Sequence, residues 1–399
     1  MKRLARWTGI VLVAVVLGLG AQWVVRQVVF GPSLPPDAET GASAAELGEG
    51  LEGVATDLEV PWELVFLPGG DLMVTERPGR LVRLAPDGTV RWRTEVPGVR
   101  ARGEGGLLGL VLVPGFDDEG EVVLYLTAEG ENRVERWRLD AEGGLSHRRV
   151  LLDGIPAASF HDGGRLAVGP EGLLWVTTGD AGEPGSAQDP ASLAGKVLRI
   201  TLEGVAASGN PSGTRVFTSG HRNAQGLAWD PDGTAWVTEH GPSGVSSGRD
   251  EINRLEPGGN YGWPQVRGDE TAPGTLPPIL HSGDATWAPS GAVIHAGALW
   301  FGGLRGEALY ELPLDGPPGN EPPGDEHFGD EYSGPDGAVA GPLRVHLFRD
   351  LGRIRQVGAG PEGDLWILTG NRDGRGRPRS DDDRILRVDP GLLRAAAGG

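Results

Sequence analysis

One local pattern recurs six times along this chain, and it decides the architecture open to it. A Pro/Gly-rich turn is joined to an apolar strand at Leu67 (LPGGDLMVTERPG), Val113 (VPGFDDEGEVVLYLTAEG), Val168 (VGPEGLLWVTTGD), Trp229 (WDPDGTAWVTEHG), Ala288 (APSGAVIHAGALWFGGLRG) and Ala359 (AGPEGDLWILTGNRDG). The strand cores LMVT, LYLT, LWVT, AWVT, LWFG and LWIL carry the aromatic and β-branched residues that suit a pleated sheet. In the turns, proline fixes φ and glycine accepts the positive φ that closes the hairpin. The repeats start roughly 50–70 residues apart, a spacing that fits four-stranded blades with long loops. Radial closure of such blades makes a β-propeller, so six repeats predict an all-β, six-bladed propeller of four-stranded antiparallel blades.

Gly 68 and Pro 32 together make about a quarter of the 399 residues, a level that signals disorder when it lacks a period. Here the glycines punctuate periodic strands that include many of the 12 Trp, so they are read as turn residues. The N-terminus differs. Lys2, Arg3 and Arg6 precede an apolar run from Ile10 to Val25, the layout of an export signal or membrane anchor over residues 1–30. Residues 31–50, rich in Gly, Pro, Ala, Ser and Glu, read as a flexible linker to a propeller domain over 51–395. The propeller is then expected outside the cytoplasmic membrane, periplasmic or secreted, and anchored there if the N-terminal segment is retained. A formal charge of −19 excludes nucleic acid as a natural partner, and zero cysteines exclude thiolate chemistry. The Pro/Gly/Asp-rich stretch Pro317–Gly341 reads as a mobile inter-strand loop.

Polar clusters interrupt the strand pattern beside glycines, where the backbone can approach a ligand closely. His161, in FHDGGRLAVGPEG, suits general-base work near neutral pH. Arg222 and Asn223, in GHRNAQGLAWDP, offer a planar cation and an amide for a carboxylate or a developing oxyanion. Gly241-Pro242 exposes carbonyls near Asp250-Glu251, a mixed oxygen donor set that suits Ca²⁺.

These pieces, with PWELVFLPGG, GEGGLLGL, TTGDAG, LAGKVLRI, TEHGP, DEINRLEPGGNYGWP, APSG and RIRQVGAGPEGDLWIL, stand in an ordered series over Leu51–Val388. The series resembles the soluble PQQ-dependent glucose dehydrogenases and aldose sugar dehydrogenases, the glucose/sorbosone dehydrogenase family. The resemblance implies PQQ and Ca²⁺ as cofactors, an aldose as substrate, and an electron acceptor of unspecified kind: quinone, cytochrome or dye. Within it, His161 matches the base that takes the anomeric hydroxyl proton, and Arg222 the arginine that stabilises charge on the quinone oxygen. Glu104 falls where glucose dehydrogenases have a substrate-contacting glutamine, and His240 also replaces a glutamine. Asn223, Thr286, Arg305, Arg353 and Arg355 match cofactor-holding positions. Gly241 and Pro242 match the carbonyls of the catalytic calcium, while Asp250 and the Tyr261 carbonyl match part of a second calcium site. Asp162 differs from the residue of some relatives and is given no role. Two other classes fit a propeller: a non-catalytic recognition module, and a calcium-dependent lactonase with acidic ligands around the axis.

Overall fold

The computed structural model describes residues 34–35, 37–243, 248–314 and 339–397. The expected signal or anchor over 1–30 lies outside them, as does most of the loop expected at Pro317–Gly341. No described helix is long and apolar enough to cross a membrane.

Six small sheets form the body, each built on a four-strand antiparallel meander. The first blade runs Pro61–Phe66, Leu72–Glu76, Arg80–Leu84 and Val90–Glu95, and the second Leu107–Leu112, Glu121–Thr127, Glu131–Leu139 and Leu145–Pro156. The third holds Leu166–Val168, Leu174–Thr177, Lys196–Ile200 and Val216–Ser219, and the fourth Ala224–Trp229, Ala235–Glu239, Glu251–Arg254 and Leu280–His281. In the fifth, Pro289–His295, Ala298–Gly303, Ala308–Pro313 and Arg344–His346 gain a fifth strand, Glu39–Thr40, paired parallel to Arg344–His346. The sixth takes Ile354–Ala359, Leu365–Thr369 and Ile385–Val388 from the C-terminal end and its outermost strand, Leu51–Ala55, from the N-terminal end. The first strands of neighbouring blades pack around the axis, including Ile354–Ala359 against Pro61–Phe66, which closes the ring.

Why these runs form blades follows from burial. The second strands, LMVTE, LWVT, AWVTE, ALWFGG and LWILT among them, are buried along their whole length. A strand covered on both faces reads as a continuous apolar run, whereas the outer strand VRWRTE is mostly exposed. Each of the six apolar clusters joins two successive blades, with Trp62 of the first blade added to the cluster of the second and third. Trp175 and Phe217 of the third blade, for example, meet Leu227 and Val237 of the fourth. The core is therefore a ring of six inter-blade seams.

Part of the expected linker is structured. Ser43 caps the short helix Ala44–Leu47 in a reciprocal capping box with Glu46. Ala42 is buried, its amide donating to His346 Nδ1 at 3.0 Å, and Leu47 packs against the seam between the fifth and sixth blades. Composition concealed this because the segment gains its order from strand pairing and docking rather than from its own apolar content.

The closure gives a prediction. A chain beginning at Leu51 keeps all six blades and loses only the docked segment. A chain beginning at Thr56 leaves Ile385–Val388 as a raw sheet edge, and its thermal midpoint should fall further, by at least about 5 °C. Equal midpoints for the two truncations, read by circular dichroism, would contradict closure by that strand.

Candidate active site

In a four-stranded antiparallel blade the start of the first strand and the end of the second lie at the same end. Every functional residue singled out from the sequence stands in or beside one of those two kinds of loop, save Asp250 and Tyr261, which flank the third strand of the fourth blade. Glu104, His161, Arg222, Thr286, Arg353 and Arg355 lead into or begin first strands; His240, Gly241, Pro242 and Arg305 follow second strands. The recurrent Pro/Gly turns that reveal the fold join first to second strands, and so lie on the opposite face.

The face carries a cavity of about 450 Å³ lined by all ten of those residues together with Asp250. His161 adopts φ +62°, and its carbonyl packs so closely on Gly179 that a Cβ there would lie 1.9 Å away. Its Nδ1 is 2.7 Å from Asp180 Oδ1, and Asp180 is buried and also accepts from the Gly182 amide and Trp263 Nε1, at 2.8 and 2.9 Å. Burial would raise the Asp180 carboxyl, but the hydrogen bond and charge of His161 outweigh it and hold it below the usual range. A carboxylate only accepts, so Nδ1 carries the proton, and in the neutral ring it is Nε2 that has the lone pair. Glu104 Oε2 accepts the His161 amide at 2.8 Å, and Oε1 accepts from Arg375 at 2.6 Å. Against the burial that favours its neutral form, Arg375 and that amide hold Glu104 below its ordinary pKa.

Arg222 is buried, donating to the His240 carbonyl at 3.2 Å and to Ser243 Oγ at 3.3 Å, with its guanidinium 5.4 Å above the Trp263 ring. Asn223 stands behind the cavity rather than in it: its Oδ1 accepts from the Gly163 amide at 3.1 Å and Gln225 Nε2 at 3.2 Å. It thereby fixes the turn after His161. His240 is pushed down to about 3 by burial, so its ring is neutral, and its buried Nε2 has no partner. Arg353 is paired with Asp373 at 2.7 Å, whereas Arg355 donates to neutral groups, Gln225 Oε1 at 3.1 Å and Ser290 Oγ at 3.2 Å. Burial, with Arg353, Arg77 and Arg165 nearby, holds Arg355 down to about 9 despite Asp373. Buried cations facing a cavity, two of them (Arg222 and Arg355) hydrogen-bonded only to neutral groups, and an orphaned imidazole nitrogen fit an anionic, hydrogen-bonding ligand such as a tricarboxylate quinone.

The residues expected at the second cation site fall in two pockets. Asp250 does not share a cavity with Tyr261. Its Oδ1 accepts the Gly241 amide at 2.7 Å and its Oδ2 the amides of Trp287 and Ala288 at 2.7 and 3.0 Å, so it braces the Gly241-Pro242 turn. Tyr261 lines a small neighbouring pocket in which the carboxylates are Glu239 and Glu251. Strand alternation separates Asp250 from Tyr261, since consecutive residues point to opposite faces and Glu251, not Asp250, lines the pocket with Tyr261. Among the described residues no group of three or more His, Asp or Glu side chains forms a metal cage. Gly241 and Pro242 border the cavity of about 450 Å³, and backbone carbonyls are oxygen donors compatible with a hard cation.

Sequence reasoning passed over Asp180, although TTGDAG contained it, because nothing in the sequence ties it to His161. Trp62, Phe160 and Gln225 also line or support the cavity. Their signal was hidden by ordinary strand and loop composition.

The sequence matches the family described as Glucose / Sorbosone dehydrogenase over residues 58–387. It is 30% identical over 371 residues to aldose sugar dehydrogenase YliI of Escherichia coli K12, covering 83% of this chain and 92% of that one. The PQQ-bound aldose sugar dehydrogenase of Streptomyces coelicolor superposes with a TM-score of 0.75 at 37% identity, over 89% of this chain and 99% of that one. A putative glucose dehydrogenase of Thermus thermophilus gives 0.75 at 44% identity, over 84% and 98%.

Asp162 supplies a test of the site's electrostatics. Its Oδ1 accepts from Asn132 at 3.0 Å and the Ala158 amide at 3.2 Å, its buried Oδ2 has no partner, and burial raises it from 3.8 to about 6. The unfolded chain releases this proton first, so stability falls as pH rises between those values and is flat above. Relative to Asp162→Asn, the wild type should lose about 1–3 kcal/mol between pH 4 and pH 7 in urea unfolding of the cofactor-free protein. An unchanged difference across that window would mean the carboxyl is ionised throughout.

Proposed function

The chain is an oxidoreductase of the glucose/sorbosone dehydrogenase family, and from that premise we propose that it oxidises aldoses at the anomeric carbon to lactones, with PQQ and Ca²⁺ as cofactors. The observation that carries the reading is the convergence of the His161–Asp180 pair, at 2.7 Å, with Arg222, Arg305, Arg353 and Arg355 on one cavity.

His161 is the general base. Asp180 holds its Nδ1 proton, so Nε2 is free to take the proton of the C1 hydroxyl as hydride leaves that carbon. Glu104, kept ionised beside Arg375, accepts a hydrogen bond from a sugar hydroxyl. Arg222, with its guanidinium fixed against Trp263, balances negative charge that grows in the cavity. Arg353 and Arg355 hold the cofactor's carboxylates, His240 and Thr286 contact it, and the Gly241 and Pro242 carbonyls hold the calcium. PQQ, when bound, supplies the two-electron quinone that accepts the hydride, polarised by the cation. A recognition module has no need of a buried Asp–His pair beside a buried guanidinium that lacks a carboxylate, and a calcium lactonase would need an axial carboxylate cage.

The test is dye-linked oxidation of an aldose panel by the purified propeller, with PQQ and Ca²⁺ added singly and together. Reduction that needs sugar and both additions supports the reading; no PQQ binding at all removes it. His161→Ala should keep PQQ binding by absorbance titration while turnover falls by about 10³-fold or more, and Asp180→Asn by about 10²-fold. Full turnover in His161→Ala would overturn the base assignment. Arg355→Ala should abolish PQQ binding at micromolar cofactor, and an unaltered titration would place the carboxylates elsewhere.

A further inference from the structure

We propose that the rim of the cavity on the sides of loops 97–106 and 371–380 is a docking surface for an acidic one-electron carrier protein, which removes the electrons gained in sugar oxidation. The inference rests on the oxidoreductase reading above.

The chain as a whole is acidic, with 36 Lys+Arg against 55 Asp+Glu. These two loops reverse that balance. Arg100, Arg102, Arg372, Arg375, Arg377 and Arg379 are all exposed. The carboxylates between them are already engaged: Glu104 with Arg375 at 2.6 Å and Asp373 with Arg353 at 2.7 Å. Beyond them, Asp381 and Asp382 pair with Arg384 at 3.6 and 3.1 Å, and buried Asp383 accepts backbone amides of Asn371 and Arg372. Arg100 has a neighbour in Glu129 at 3.3 Å, and Arg372 donates to the carbonyls of Asp382 and Ser380. The guanidinium groups of Arg102, Arg372, Arg377 and Arg379 thus reach the surface with no carboxylate paired to them among the described residues.

Position makes the patch functional. The Glu104–Arg375 ion pair joins the two loops, and both residues line the cavity. The chemistry demands a partner at this opening: one aldose and two oxidised carriers give one lactone, two reduced carriers and two protons. Fixed charge spread over two loops suits a partner with its own fixed charge, and acts over about 8 Å at physiological ionic strength. The acidic remainder of the surface repels an acidic carrier everywhere else, which orients it towards the opening. A neutral membrane quinone gains nothing from these arginines.

Native cytochrome c and its succinylated form carry the same haem with opposite surface charge, and serve as probes. The PQQ- and Ca²⁺-loaded enzyme, supplied with an aldose, should reduce the succinylated form about tenfold faster at low salt, with the gap closing towards 0.5 M salt, a concentration of about 4 Å screening length. Arg377→Glu/Arg379→Glu should erase the gap and leave reduction of the neutral quinone ubiquinone-0 unchanged. Binding of succinylated cytochrome c to the cofactor-free protein, by calorimetry, should weaken with salt and disappear in that variant. Equal rates for the two cytochromes, faster reduction of the native form, or a variant that behaves as wild type in both assays would overturn the docking surface. Absence of sugar-dependent reduction of every acceptor would instead defeat the oxidoreductase reading, and the calorimetric arm would still decide the surface.

Discussion

The pairing of Leu51–Ala55 with Ile385–Val388 is the constraint on which the rest depends. It joins the chain's two ends in one blade, and with it the last first strand, Ile354–Ala359, is held against Pro61–Phe66. Arg353 and Arg355 stand at the start of that last strand, while Glu104 and His161 come from blades on the other side of the closure. An open ring would let the two groups separate. Because the six seams each join only neighbouring blades, closure is what turns six local packings into one cavity of fixed width.

Within that frame the decisive electrostatic fact is an imbalance. An acidic chain buries cations around one cavity, and two of them, Arg222 and Arg355, hydrogen-bond only to neutral partners there. Burial without a counter-charge destabilises a guanidinium, so the arrangement stores a demand for an anion. The same design places the Asp180 carboxylate on His161 and leaves the imidazole of His240 neutral and unsatisfied. Groups that would weaken a sealed core become binding capacity where a ligand replaces water.

The fold was legible because the hairpin between first and second strands repeats its turn chemistry and its fully buried second strand. The docked segment around Ala42 and the fifth strand Glu39–Thr40 were not, since their order comes from partners about 300 residues away in sequence. The site was legible where motifs are compact: His161, Arg222 and His240 all line the cavity. It was less legible at Asp250 and Tyr261, which line separate pockets, because which of Asp250 and Glu251 faces Tyr261 depends on the face of a strand each occupies. It failed at Asp180, whose role exists only through its contact with His161. The arginine rim was visible as DGRGRPRS, but its meaning required the Glu104–Arg375 contact to bring it to the opening.

The most direct test of the central claim is stopped-flow absorbance of the PQQ- and Ca²⁺-loaded protein mixed with an aldose carrying hydrogen or deuterium at C1. Bleaching of the bound quinone that is several-fold slower with deuterium would establish breakage of the C1–H bond in this cavity. Tight PQQ binding with no bleaching by any aldose, or bleaching indifferent to the isotope under single-turnover conditions, would contradict the account.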